Sequence, residues 1–255
     1  MKTAPTITDD QVQKFHDDGF VKIEQMLDGD EARRWREPAL AASKRLTGDG
    51  GGRSVFQQTV NVWRKDAEMK KLTLDPRIAA AVTRLAGRPM RLWHDHILIK
   101  APGKSTPTEF HQDRPYWPFQ GDPLTMSCWL ALGDVSPEAG CMSFIPGSHR
   151  YTDLPSQNLS DPESLMSLCP ELRWEPRVTH PLRSGDCTFH NGLCAHTAGP
   201  NTTDEPRIGH VVLFVEADTR YSGKNHVVTD PLDLEPGQTL PDDICPLAAD
   251  LIDRD

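Results

Sequence analysis

One stretch, Phe110-His111-Gln112-Asp113-Arg114-Pro115-Tyr116, constrains the fold of this 255-residue chain more than any other. In an extended strand alternate side chains share a face, so His111 and Asp113 are expected to present an imidazole and a carboxylate to one point. A third donor, His196, lies 85 residues on, in Leu193-Cys194-Ala195-His196-Thr197-Ala198-Gly199-Pro200-Asn201. If it converges on the first pair, two imidazoles and one carboxylate cover one face of a metal ion. That arrangement leaves positions open on a non-haem Fe(II) for oxygen chemistry.

Between His196 and Arg207 the segment Gly199-Pro200-Asn201-Thr202-Thr203-Asp204-Glu205-Pro206 is dense in turn formers. The spacing predicts that the strand carrying His196 turns here and returns antiparallel through Ile208 to Phe214. Arg207 then lies beside His196 at the mouth of the site. A guanidinium is a planar fork suited to a carboxylate, here that of a co-substrate on the metal.

The length allows one domain with a sizeable core, read as a helical part over about 8–87, a β core over about 91–220 and a tail over 221–255. A formal charge of -9 and the lack of a Lys/Arg run argue against nucleic acid or an anionic membrane as partner. The N-terminus lacks the apolar core of a signal peptide, and the longest aliphatic run, Val211 to Val215, is too short to span a bilayer. The six cysteines form no C-x-x-C pair, so reduced thiols in the cytoplasm are expected. Cys194, two residues before His196, either shares that ligand's face or is a small buried hydrophobe.

Thr8-Asp9-Asp10-Gln11 is a capping-box pattern with Gly19 as the stop, followed by a short strand at Phe20 to Ile23. A second helix starts near Asp28 or Asp30 and is bent or divided by Pro38. Gly48 to Gly52 reads as a flexible joint, and beyond it Gln57, Gln58 and Asn61 are polar candidates for the site. Asp75-Pro76 opens a helix that Gly87 closes. Arg91 to Lys100 alternates, placing His94, His96, Leu98 and Lys100 on one face and Trp93, Asp95, Ile97 and Ile99 on the other. His96 is the candidate from this strand for the metal pocket, with His94 beside it. Pro115 to Phe119 is expected to wall an apolar pocket, with Arg114 meeting an anion. The polar segment between Arg150 and Pro181 reads as a lid, and the tail from Tyr221 as a surface wrap.

Taken together, His111-Gln112-Asp113 with Tyr116, Trp129-Leu130-Ala131-Leu132, Ile145-Pro146-Gly147-Ser148-His149-Arg150, Gly185-Asp186 and His196 through Asn201 to Arg207 resemble the phytanoyl-CoA dioxygenase family of Fe(II)- and 2-oxoglutarate-dependent oxygenases, over about Thr8 to Tyr221. The resemblance implies a mainly β fold with flanking α-helices: a double-stranded β-helix (jelly-roll, cupin-like) core with the N-terminal helices packed on it. It implies Fe(II) on His111, Asp113 and His196, and 2-oxoglutarate held by Arg207 with Trp129 as a wall of its pocket. It implies a dioxygenase that consumes O2, releases succinate and CO2, and hydroxylates a C–H of a small organic molecule or natural-product intermediate. His149 is expected to be structural. Two departures stand out. A lysine that often touches the co-substrate is replaced by glutamines, Gln57 being the candidate, and a serine two residues after the distal histidine is replaced by Ala198, with Thr197 the nearest hydroxyl. Asp113 itself points away from halogenation, which needs a small residue there. The alternatives are a metal-holding jelly-roll sensor or binding protein without turnover, and a cupin-like hydrolase or isomerase.

Overall fold

A computed structural model describes residues 5–47, 56–103 and 105–252. The expected glycine joint at 48–52 lies outside them.

The N-terminal third is helical for local reasons. Helix α1 (Asp9–Asp18) begins at a complete capping box between Thr8 and Gln11 and ends at Gly19, whose φ of 84° is open to glycine at little cost. After strand β1 (Phe20–Ile23), Asp28 caps α2 (Gly29–Arg34), and α3 (Arg36–Thr47) follows with Pro38 in its first turn. The helix is thus divided at Trp35, because a proline is tolerated where no intrahelical N–H is required. Beyond β2 (Gln57–Val60) come α4 (Ala67–Thr73) and α5 (Pro76–Ala86), the latter capped by Asp75 and closed by Gly87.

The remainder is two facing antiparallel sheets. The larger has the order β1-β8-β5-β10-β3-β2, formed with β3 (Met90–Lys100), β5 (Thr125–Ala131), β8 (Cys187–Asn191) and β10 (Arg207–Glu216). The smaller has the order β4-β9-β6-β7, from β4 (Thr108–His111), β6 (Met142–Phe144), β7 (Val178–His180) and β9 (His196–Ala198). This is the expected jelly-roll with flanking helices.

Strand alternation gives the larger sheet two distinct faces. Leu92, Ile97, Ile99, Cys128, Leu130, Val212 and Phe214 pack outward on the helices, while Trp129, Ala131, Val211 and Leu213 face the smaller sheet. Each fully buried Leu, Ile or Phe contributes about 1.5–3 kcal/mol, which makes the helical layer the main source of cohesion. Trp93 breaks the expected alternation. The β3–β10 register slips at this point, pairing Leu213 with His94 and Phe214 with Leu92. The extra residue is a bulge, and it turns Trp93 to the inner side against Trp117 and Phe119.

Two further expectations are corrected. The segment between Arg150 and Pro181 does more than cover the cavity, which Leu159 lines: around α6 (Ser164–Leu168), Leu165, Met166, Cys169 and Leu172 pack with Ile145 and Ala195 on the back of the smaller sheet. The tail does more than wrap the surface. Its last helix, α7 (Ala248–Ile252), buries Ala248 and Leu251 in the core, and Arg91 ties it down through bonds to the Leu240 and Cys245 carbonyls. Among the described residues no helix is long and apolar enough to cross a membrane.

Candidate active site

His111 ends β4 and His196 begins β9, and the two are direct cross-strand partners. Their ring centres lie 4.3 Å apart. Asp113 reaches them by a different route from the one the alternation suggested. The strand stops at His111, and Asp113, with φ -75° and ψ -40°, opens a turn of 3-10 helix over Arg114–Tyr116. The chain's turning, not its pleat, brings the carboxylate round: Asp113 Oδ1 lies 3.6 Å from His111 Nε2 and 3.9 Å from His196 Nε2. One donor atom from each of the three residues falls within 4.8 Å of the others.

The donor set fits a divalent transition metal. His111 Nδ1 donates to the Glu109 carbonyl at 2.8 Å and His196 Nδ1 to the Cys194 carbonyl at 3.0 Å. With the proton fixed on Nδ1, each ring turns a bare Nε2 lone pair inward, the form a metal requires. Burial, helped by the neighbouring His111, pulls His196 down to about 3, so it needs no deprotonation at neutral pH. Asp113 is the anionic member of the set, its carboxylate flanked by His196, His111 and His190. Its second oxygen is held apart, Oδ2 lying 3.5 Å from both His190 Nε2 and Ser127 Oγ.

Gln112, between the two ligands, points the opposite way and is fully buried. Its side-chain amide donates to the carbonyls of Tyr151 and Leu193, each at 2.8 Å, and its backbone N–H donates to Gln157 Oε1. The first ligand loop is thereby fastened to the chain just before His196.

Arg207 opens onto the same cavity, of about 430 Å³, as the triad. It gets there otherwise than expected. β9 and β10 do not form a hairpin; β9 pairs with β4 and β6, and β10 with β3 and β5, so residues 199–206 cross from one sheet to the other. Lys100, buried beside this crossing, donates to the carbonyls of Thr106, Ala198 and Gly199 and fixes its course. Arg207 is buried, lies 4.6 Å over the Trp129 ring and has no hydrogen-bond or carboxylate partner among the described residues. Burial pulls its guanidinium down to about 10, still charged at neutral pH. Gly209 makes this stack feasible, because a Cβ there would overlap the Trp129 ring.

The other expected site residues divide by strand parity. His96 and Trp129 line the cavity, as does Gln58, whose side-chain nitrogen lies 3.3 Å from His96 Nδ1. Gln57 does not. Pairing with Ile99 sends it to the helix side, where it donates to Ser43 and Thr47. Thr197 likewise points away from the cavity and donates to the Thr108 carbonyl at 2.6 Å, so it does not replace the hydroxyl that Ala198 lacks. Arg114 is spent on the Phe119 and Gly121 carbonyls. Of Pro115 to Phe119 only Tyr116 and Trp117 line the cavity. Cys194 is buried against Asp18, Ile145 and Ser148, its thiol pushed up to about 12 by burial.

A two-histidine, one-carboxylate centre between the sheets of a jelly-roll defines a non-haem metal enzyme of the oxygenase type. The family model of phytanoyl-CoA dioxygenase (PhyH) matches residues 15–209, and the chain belongs to that family. A methylphosphonate hydroxylase of Gimesia maris is 28% identical over 213 residues, covering 79% of this chain and 78% of its own. Two enzymes of nogalamycin biosynthesis, each described as α-ketoglutarate-dependent, are similar in structure at 32% identity. The carbocyclase SnoK has a TM-score of 0.84 and covers 96% of this chain and 98% of its own. The epimerase SnoN, solved with Fe3+, α-ketoglutarate and a nogalamycin derivative, has a TM-score of 0.77 and covers 94% and 97%. The protein is a 2-oxoglutarate-dependent non-haem iron dioxygenase.

Proposed function

We propose that His111, Asp113 and His196 ligate the iron, that Arg207 binds the far carboxylate of 2-oxoglutarate, and that the enzyme hydroxylates a C–H bond of a natural-product intermediate. The observation that carries the co-substrate assignment is the buried, unpaired Arg207 on the triad's own cavity. A buried cation without a counter-charge is costly, and a carboxylate of the co-substrate supplies one. When bound, iron and 2-oxoglutarate would together activate O2 as the oxidant for C–H cleavage, one oxygen atom leaving in succinate, formed with CO2, and the other in the hydroxylated product.

The chain's own residues do the rest. The Glu109 and Cys194 carbonyls hold the two imidazoles in the ligating tautomer, and His190 and Ser127 steady the free oxygen of Asp113. Trp129 supports the guanidinium, and Met142 and Leu98 add apolar wall. A carboxylate at 113 leaves no place for a halide, so oxidation without halogen transfer is the outcome expected. The likeness to a carbocyclase and an epimerase favours, as a second reading, ring closure or epimerisation started by the same hydrogen abstraction.

The test is succinate release and O2 consumption with Fe(II) and 2-oxoglutarate over a panel of aromatic polyketides, their glycosides and phosphonates, with His111→Ala and Asp113→Ala as controls. Product mass separates the outcomes: one oxygen gained for hydroxylation, two hydrogens lost for ring closure, no change for epimerisation. If no panel member stimulates succinate formation above the two controls, the natural-product reading is wrong.

A further inference from the structure

The cavity has a second end. Along β3 and β10, Arg207 pairs with Lys100 and Leu213 with His94. Six residues of strand separate the two positions, about 20 Å at roughly 3.3 Å per residue. Ser127, which touches Asp113, pairs with Leu213. The His94 level therefore lies beside the metal ligands, at the opposite end of the strand pair from Arg207.

Two imidazoles of opposite polarity stand there. His94 Nδ1 lies 3.0 Å from the Asp95 carbonyl, to which only an N–H can donate. Burial, with His96 and His226 nearby, holds His94 well below its ordinary range, so the ring is neutral and its Nε2 is a bare acceptor. That Nε2 is buried and without a partner among the described residues, and His94 lines the cavity. His226 is the mirror case. Its Nδ1 accepts from the Val228 N–H at 3.2 Å, and burial pulls it down to about 4, so its proton sits on Nε2 as a donor. The two ring centres are 6.0 Å apart, too far for a direct bond between them. Aromatic faces flank them, with Trp93 4.8 Å from His226 and Trp117 5.3 Å from Trp93.

We propose that the His94 and His226 end of the cavity is a substrate subsite for a neutral, ring-borne hydroxyl, which donates to His94 Nε2 and accepts from His226 Nε2–H while its ring lies against Trp117 and Tyr116 of the cavity wall. An ether, a carbonyl or a carboxylate lacks the proton His94 requires. The subsite thus selects phenols and alcohols over their methyl ethers and over carboxylates. It rests on the assignment of the Arg207 end to the co-substrate.

The test needs neither iron nor 2-oxoglutarate, so it is separate from the fate of that assignment, which direct titration of 2-oxoglutarate against Arg207→Leu decides. Binding of 1-naphthol and of 1-methoxynaphthalene to the full chain is followed by quenching of tryptophan fluorescence. The wild type is expected to prefer 1-naphthol by about tenfold, the ordinary yield of one buried hydrogen bond. His94→Phe equalises the two probes, and His94→Gln, which keeps an acceptor, retains the preference. His226→Phe, at a half-buried position and so tolerant of change, removes the donor to the ligand oxygen and weakens 1-naphthol binding. A wild type that binds the two probes alike overturns the proposal, as does a tenfold preference that survives in His94→Phe. If His94→Phe does not fold, a His226→Phe variant that binds 1-naphthol as tightly as the wild type overturns it in its place.

Discussion

The two sheets divide the work in a way their sizes do not suggest. The larger has the longest strands, with one bulge at Trp93, and is backed by helices, and it supplies Arg207, His96 and Trp129. The smaller is built from strands of three or four residues, with a register shift between Thr108 and His111, and it carries or borders all three metal ligands. Short, irregular strands do not hold side chains to a fraction of an ångström by ladder bonds alone. Precision on the metal side comes instead from side-chain bonds to carbonyls: the two Nδ1 bonds of the ligands and the amide of Gln112. One sheet supplies rigidity through its ladder, the other through polar clamps.

That contrast breaks most sharply at Asp113. Asp113→Ala is expected to abolish Fe(II) binding, measured by calorimetric titration under anaerobic conditions, because loss of a ligand exceeds the roughly 10- to 100-fold cost of disturbing its supports. Arg207→Leu, on the other sheet, is expected to leave metal affinity unchanged while weakening 2-oxoglutarate by about 2–5 kcal/mol, the usual cost of truncating one partner of a buried charge pair. Loss of both affinities together would mean that the two sheets are not independent.

A pH experiment isolates the helix side. Burial pushes Asp95 up to about 6, against the bonds it accepts from Thr73 and the Trp63 N–H. Its folded form therefore keeps a proton between about pH 4 and 6 that the unfolded chain has released, and its contribution to stability falls as pH rises through that window. The loss is about 3 kcal/mol for a shift of roughly two units. The urea stability of Asp95→Asn relative to wild type should rise by that amount between pH 4 and 7, with metal affinity unaffected. The smallest effect is expected for Gln112→Ala, which leaves the Tyr151 and Leu193 carbonyls without this donor. About 2 kcal/mol of stability should be lost, and Fe(II) affinity should fall by about tenfold. An unchanged affinity would show that the ladder, not the clamp, sets the metal geometry.

Much of this was legible in the sequence, and the limits have physical causes. Capping residues act locally, so the helices at Thr8 and Asp75 were visible from a few letters. The triad and Arg207 could be read from residue chemistry and spacing. Parity could not: whether Gln57 or Gln58 faces the cavity depends on which residue of β3 lies opposite, and one step of register exchanges them. The bulge at Trp93 and the sheet crossing after His196 are likewise settled by pairing between distant strands. His94, His190 and Gln112 were present as letters, but their roles depend on partners up to 81 residues away, as with the Gln112 bond to Leu193.

Asn225, His226 and Val227 close one end of the cavity, yet they lie beyond the 15–209 stretch that carries the family pattern. Part of the cavity wall is therefore encoded apart from the triad and Arg207. Drift in the last thirty or so positions can retune which molecules are admitted while the chemistry stays fixed, and exchanging that segment between relatives is the direct route to redirecting such a catalyst.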